Sequence, residues 1–275
     1  MKKEGSLLFR SVSIVFLAII TIVFVFPFYW IITGSFKTRI DSIILPPQWL
    51  PKNPTLVSWE TLFKQPAWQW LWNSIFISLV SMILVCLVST MAGYVLAKKR
   101  FKGSKFLFAM FVFAMALPKQ VVLVPLVKQM SFMGLHNTLW AVILSSIGWP
   151  FGIFLMKQFS ETVPTELLEA ARIDGCSEIK TFRKVVVPIV KPGIAALAIF
   201  TFISTWNDYF LQLIMLNDRK KLTLQLGLAT LQGEFDTNYG LLMAGAALSA
   251  IPIIIMFVVF QKHFTQGITV GAVKG

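Results

Sequence analysis

Six runs of about 20 mostly apolar residues, spaced along the whole chain, limit what this sequence can fold into more than any single motif does. They cover residues 13–33, 75–97, 106–127, 138–156, 193–216 and 241–260. Each is long enough to cross the hydrocarbon of a bilayer as a helix. In that medium every backbone N–H and C=O must be satisfied within the protein, which leaves helices or closed barrels. Barrel strands alternate apolar and polar residues over about ten positions, whereas these runs are continuous, so the expected fold is all-α. The composition agrees, with 56% hydrophobic residues, 13% charged residues and a mean hydropathy of +0.75. A polytopic membrane protein of six helices, forming a single transmembrane domain over residues 1–275, is the expectation.

Lys and Arg are retained on the cytoplasmic side of membrane proteins, so their distribution gives the orientation. With both termini inside, sixteen of the 25 cations fall on the cytoplasmic side. They comprise Lys2, Lys3 and Arg10, then Lys98, Lys99, Arg100, Lys102 and Lys105, then six between the fourth and fifth runs, then Lys262 and Lys274. The net charge of +13 thus sits at helix ends, where it serves topology and membrane lipid headgroups, and nucleic acid is not an expected partner. Cys86 and Cys176 lie too far apart in this topology to form a disulfide. The first run is too long for a signal peptide and lacks a small-residue cleavage site, so it is expected to stay as a span, kinked at Pro27.

Two outer segments stand out. Residues 37–72 hold Pro46, Pro47, Pro51, Pro54 and Pro66 with Trp49, Trp59, Trp68, Trp70 and Trp72, which reads as an ordered cap. Its indoles suit an interfacial belt or a docking face for an external partner, and both readings stay open. Residues 217–239 carry Asp218, Arg219, Lys220, Lys221, Glu234 and Asp236 and are expected to be solvated. Within the spans, Pro118 and Pro125 bracket Lys119 and Gln120, a broken helix of the kind that lines a cavity. Lys119 then faces that cavity, or the apolar run ends before it. In the fifth run Trp206, Asn207 and Asp208 place polar groups at membrane depth, for a substrate path or for a helix-to-helix hydrogen bond, and Trp206 could stack on a sugar ring. Gly267, Gly271 and Gly275 suggest an extended C-terminal tail.

The segment over residues 157–192 is a polar island between two spans. Pro164 suits a first helical position, residues 165–173 favour helix, and Gly175 allows a left-handed stop. Ser177 can cap a second helix that Pro188 ends. Ile179, Phe182 and Val186 form an apolar stripe on that second helix, and five of the chain's twelve acidic residues (Glu161, Glu166, Glu169, Asp174 and Glu178) mingle with six cations. Acidic groups around an apolar ridge suit a protein groove better than a lipid surface. An amphipathic loop resting on the bundle is the alternative.

The run Glu169-Ala170-Ala171, followed by Asp174-Gly175 and Pro188, resembles the EAA motif of ABC importer permeases. Ala92-Gly93-Tyr94, Leu117-Pro118 with Pro125, Trp206-Asn207-Asp208 and the ending Gly271-Ala272-Val273-Lys274-Gly275 are similar to the carbohydrate-uptake branch, of maltose-transporter type. The short six-span form looks like the smaller of two permeases in such importers. The resemblance implies a second, larger permease subunit, two cytoplasmic ATPase subunits docked on the EAA loops, and an extracellular or periplasmic solute-binding protein, all at a bacterial cell membrane. ATP and Mg are then expected on the ATPase, since this chain shows no GxxxxGK[ST] phosphate loop and is not expected to be an enzyme.

By the same resemblance, Glu169 is a charged contact to the ATPase, Ala170 and Ala171 permit close approach, and Gly175 makes the turn. Residues 169–188 would act as a lever for alternating access, moving a sugar and most plausibly an oligosaccharide. A permease for polyamine or another polar solute, or a nucleotide-independent secondary transporter, are the alternatives. A membrane enzyme fits poorly, because His136 and His263 fall on opposite sides and no catalytic cluster or metal site is evident.

Overall fold

A computed structural model describes residues 2–99, 101–232 and 237–272, with side chains described only for 9–99, 101–232 and 237–261. Among the described residues helices are the only regular secondary structure, joined by turns and an irregular segment over residues 35–56. The chain divides into two compact units, Met1–Trp68 with Leu228–Ile251, and Gln69–Gly227 with Pro252–Gly275.

In the first unit, α1 (Lys2–Gly34) continues through Pro27 without interruption. The most apolar 18 residues within Phe9–Gly34 include no buried residue. Phe24 is 72% exposed and Ile22 68%, an arrangement stable in hydrocarbon or against another apolar surface and not in water. After α1 the outer segment folds back: Tyr29 donates its hydroxyl to the Trp49 carbonyl at 2.7 Å, and Lys37 lies 4.5 Å from the Trp30 ring while donating to the Gln48 carbonyl. A short helix, α2 (Val57–Lys64), follows, with Ser58 and Leu62 buried.

The second unit holds most of α3 (Ala67–Lys98), the long helix that replaces the second run. The next three runs are not continuous helices. The third is divided into α4 (Ser104–Met115) and, after a 3₁₀ turn over Lys119–Val122, α5 (Leu123–Phe132), with a bend of 105°. Pro118 lacks the N–H that a straight helix would need there, so a break near this proline was legible in the sequence. The fourth divides into α6 (Leu139–Ile147) and α7 (Pro150–Glu161) with a bend of 43°, because Gly148 leaves the helix and Pro150 restarts it at a first helical position. The fifth is α11 (Lys191–Trp206) followed by α12 (Phe210–Met215), broken at Asn207 to Tyr209. The continuous spans expected over 106–127 and 138–156 are therefore corrected to bent pairs, and that over 193–216 to two helices separated at residues 207–209.

Beyond α12, α13 (Leu224–Ala229) is tied down by a buried network. Gln212 donates to the Thr205 carbonyl at 2.8 Å and accepts from Thr223, while the Leu224 amide donates to Ser74 at 2.8 Å. Trp70, expected in the outer cap's belt or docking face, is instead fully buried, donating its indole N–H to the Arg219 carbonyl at 2.7 Å. Gly227 supplies the space for its ring, since a β-carbon there would overlap it. Trp49, Trp68 and Trp72 remain more than half exposed. Of the outer acidic groups, Glu234 and Asp236 lie outside the described residues. The last helix, α14 (Tyr239–Ala272), is helical through Gly267 and Gly271, so the extended tail expected there is corrected. Val273, Lys274 and Gly275 lie outside the described residues, as does the side chain of His263.

Candidate functional site

Between α7 and α11 the chain builds a stiff two-helix piece. Its first helix, α8 (Thr165–Ile173), starts after Pro164, which occupies the position just before the helix and not its first turn. The helix stops in a Schellman turn: Gly175 takes φ +71°, its amide donates to the Arg172 carbonyl at 3.0 Å, and the Cys176 amide donates to the Ala171 carbonyl at 2.9 Å. Ser177 then caps α9 (Glu178–Thr181), accepting from the Lys180 amide at 3.4 Å.

The second helix ends at Ile189, one residue past Pro188. The chain widens into a π turn over Phe182–Val186, where the Val187 amide donates to the Phe182 carbonyl five residues back, and continues as α10 (Val187–Ile189). Proline has no N–H to return to the carbonyl four residues earlier, and the shifted register just before it absorbs the loss. The chain then turns by 78° into α11.

The seat of this piece is apolar. Leu168, Val186 and Val190 join Val163, Met156, Tyr94, Val85 and Leu197 in one buried cluster, and Phe182 packs 5.5 Å from the Tyr94 ring. Burying three such aliphatic side chains contributes roughly 2 kcal/mol each, enough to hold the segment as part of the bundle. The expected stripe is corrected in one respect: Val186 is buried and Phe182 half-buried, but Ile179 is 73% exposed. Ile173 is 87% exposed.

Charges fix the segment to the α3–α4 connection. Glu178 accepts from Lys99 at 2.6 Å and from Arg172 at 3.2 Å. The hydrogen bond from Lys99 holds the Glu178 carboxyl below the usual range for glutamate. The candidate residues divide by face: Glu169, Ala170, Asp174, Gly175 and Pro188 are exposed, whereas Ala171 is 7% exposed and turned toward the bundle. Ala170 can therefore meet an outside partner closely, and Ala171 instead permits close packing of α8 on its own chain. Two glycines set the close packing of α3 against α7, beside this seat. An added β-carbon at Gly93 would lie 2.6 Å from the Lys157 backbone nitrogen, and one at Gly152 would lie 2.5 Å from Ser89 Oγ.

A second constellation forms where the broken spans meet. Lys119 Nζ reaches Ser204 Oγ at 3.3 Å and lies 5.5 Å from the centre of the Trp149 ring. Trp149 is followed by Phe151 at 5.0 Å, which meets Phe200 edge-on at 5.7 Å. A lysine within a membrane span is costly in hydrocarbon, and an indole face with a hydroxyl would offset part of that cost. Gln120 is exposed beside it. Trp206 has a different position from that expected: it is 1% exposed, stacked on Phe202 at 5.7 Å, and offers no free face to a sugar ring. Asn207 ends α11 with its side-chain amide donating to the Ile203 carbonyl at 3.0 Å, and Asp208 accepts from the Leu211 amide at 3.1 Å to start α12. Both polar side chains hold the break open. Trp149 and Ser204 were missed in the sequence, although Gly148-Trp149-Pro150 inside an apolar run was a break signal.

Comparison with known proteins places this architecture. Residues 89–270 match the family model described as binding-protein-dependent transport system inner membrane component. The arabinooligosaccharides transport system permease protein AraQ of Halalkalibacterium halodurans is 36% identical, covering 100% of each chain. Its namesake in Bacillus subtilis is 31% identical over 97% of this chain and 96% of its own. The diacetylchitobiose uptake system permease protein DasC of Streptomyces coelicolor is 32% identical over 91% of this chain and 92% of its own. A bacterial ABC transporter involved in the import of the acidic polysaccharide alginate contains a chain of the same fold, with a TM-score of 0.82 at 23% identity, covering 94% of this chain and 98% of that one. By family match and by full-length similarity, this chain belongs to the binding-protein-dependent transport system inner membrane components, the permeases of ABC importers.

Proposed function

We propose that the chain forms half of the translocation path of an importer for an oligosaccharide, with residues 157–192 as the element that couples the path to ATP. Permeases of this family act with a partner permease, an ATPase and a solute-binding protein. For this chain the arrangement would be one larger permease, two ATPase subunits carrying ATP and Mg, and one external binding protein. The cargo reading rests on relatives whose names specify arabino-oligosaccharides and diacetylchitobiose. The bias of Lys and Arg supports a cytoplasmic position for residues 157–192.

One observation carries the coupling role: α8 to α10 form a capped two-helix piece with an apolar seat, while Ile173 and Ile179 remain exposed beside Glu169 and Ala170. A push on that face moves α11 directly, because only Val190 separates α10 from α11. The bends at Pro118, at Gly148 to Pro150 and at Asn207 to Tyr209 give α11 and its neighbours joints at which to tilt. Lys119, Gln120, Trp149 and Ser204 are the candidates for contact with sugar hydroxyls and ring faces, while Asn207 and Asp208 shape the path.

The test is uptake of arabino-oligosaccharide into proteoliposomes holding the full complex. Accumulation that requires both ATP and the binding protein supports the reading. Uptake that proceeds equally without nucleotide identifies a secondary transporter, and uptake of polyamine alone moves the cargo to another class.

A further inference from the structure

A cavity of about 550 Å³ opens beside the Glu169 segment and plays no part in the transport path described above. It lies where α3 ends, α4 begins and α7 ends, and its cations are Lys99, Lys102, Lys105 and Lys157. Glu161 is the only acid among its lining residues, and it accepts from Lys157 at 2.6 Å. Lys157 also covers the Phe108 ring at 4.3 Å, and Lys99 is held by Glu178. Lys102 and Lys105 are exposed and have no counterion among the described residues. Apart from Ser104 the other walls are apolar: Leu96 and Ala97 on α3, Phe101 on the connection, Phe108 on α4.

Position decides the ligand class. Lys99 follows the last residue of a membrane-spanning helix, Lys105 is in the first turn of the next apolar helix, and Lys157 is in the last turns of a third. These cations therefore lie at the depth where hydrocarbon gives way to headgroups. The outer side of α4 is apolar and uncovered, with no buried residue in the helix and with Phe106 71% and Phe113 71% exposed. Gly103, at φ +89°, makes the turn between Lys102 and Lys105, both of which line the cavity. A free anion would use the lysines and leave the apolar walls empty. A phosphodiester bearing acyl chains uses both.

The geometry points to a binding site for the phosphate of an anionic phospholipid, held by Lys102 and Lys105 with its acyl chains along Phe101, Phe108 and α4. The site adjoins the coupling segment, because Lys99 both lines the cavity and binds Glu178. A bound phosphate would compete with Glu178 for Lys99, so occupancy would alter how tightly residues 157–192 are held to the α3–α4 connection. The inference depends on membrane insertion and not on the identity of the cargo.

The experiment measures lipid retention by native mass spectrometry of the detergent-purified complex, incubated with phosphatidylglycerol or phosphatidylcholine. The wild type should retain phosphatidylglycerol in preference. The double variant Lys102→Gln, Lys105→Gln should bind it roughly 25-fold more weakly, about fivefold for each lysine near a phosphate. If the double variant fails to assemble, Lys105→Gln alone should show the roughly fivefold loss. Unchanged retention in these variants overturns the proposal, and so does an equal loss in Lys52→Gln, a control in the outer segment 37–72 and away from the cavity. Displacement of the lipid by an equal concentration of inorganic phosphate would overturn the lipid source in favour of a free anion. Release of the ATPase with lipid retention intact would make this face a protein contact and would likewise overturn it.

Discussion

Replacing Gly175 tests whether the coupling segment is held by its backbone geometry. At φ +71° an L side chain is disfavoured, and the structure has no heavy atom within 4 Å of an added β-carbon. The cost is therefore conformational and not steric: about 1 kcal/mol for alanine and about 2 kcal/mol for β-branched valine, but only a few tenths for asparagine, which tolerates this region. The seat formed by Leu168, Val186 and Val190 contributes roughly 6 kcal/mol, so the segment remains in place in each variant. What changes is the Schellman turn. Hydrogen exchange at the Cys176 amide, which donates to Ala171, should speed up roughly fivefold in Gly175→Ala and roughly 30-fold in Gly175→Val. ATP-driven uptake should follow the order Gly, Asn, Ala, Val, with equal amounts of chain in the membrane. Asparagine is larger than alanine, so an order set by volume, with asparagine below alanine, would refute the argument and indicate a crowded partner contact at this position. Equal uptake in all four would remove the stiff-lever account.

The other predictions concern the contacts that seat the segment and line the path. Glu178→Gln should loosen residues 157–192 by no more than about 1 kcal/mol, since the pair is exposed, read as faster exchange in α9. Because the folded carboxyl titrates below the ordinary glutamate range, the stabilisation it supplies is present above that range and disappears as pH falls through the lowered value. An exchange profile unchanged on acidification would count against the Lys99 contact. Gly93→Ala should cost 1–3 kcal/mol or more, because its β-carbon meets the backbone of α7, and a thermal melt of the complex that does not shift would contradict the packing. Trp149→Ala and Lys119→Gln should reduce uptake at least tenfold while leaving the ATPase bound; unchanged uptake would remove this cluster from the path.

Much of the architecture was legible because membrane physics leaves few choices. An unbroken apolar run such as 13–33 has no alternative to a helix in lipid, and α1 covers it. The bends were less legible. Pro118 announced one, yet Gly148 and Asn207 sit inside runs whose hydropathy hides a local exit from the helix. The turn at Gly175 and the cap at Ser177 were readable because both are set by local backbone chemistry. Pro188 was legible as a stop, since the helix ends at Ile189 just after it, whereas the wide turn over Phe182–Val186 was not. The burial of Trp70 and Trp206, and the meeting of Lys119 with Trp149 and Ser204, depend on segments far apart in the chain, so no local pattern encodes them.

The most direct measurement for the coupling role is the amount of ATPase that co-purifies with this chain when the exposed apolar face of residues 157–192 is made polar. Ile173 and Ile179 make little contact with their own fold, so Ile173→Asp with Ile179→Asp should leave the chain in the membrane beside its partner permease. The account predicts that the ATPase is lost and that ATP-driven uptake stops. An ATPase that stays bound, with uptake at the wild-type rate, would contradict it.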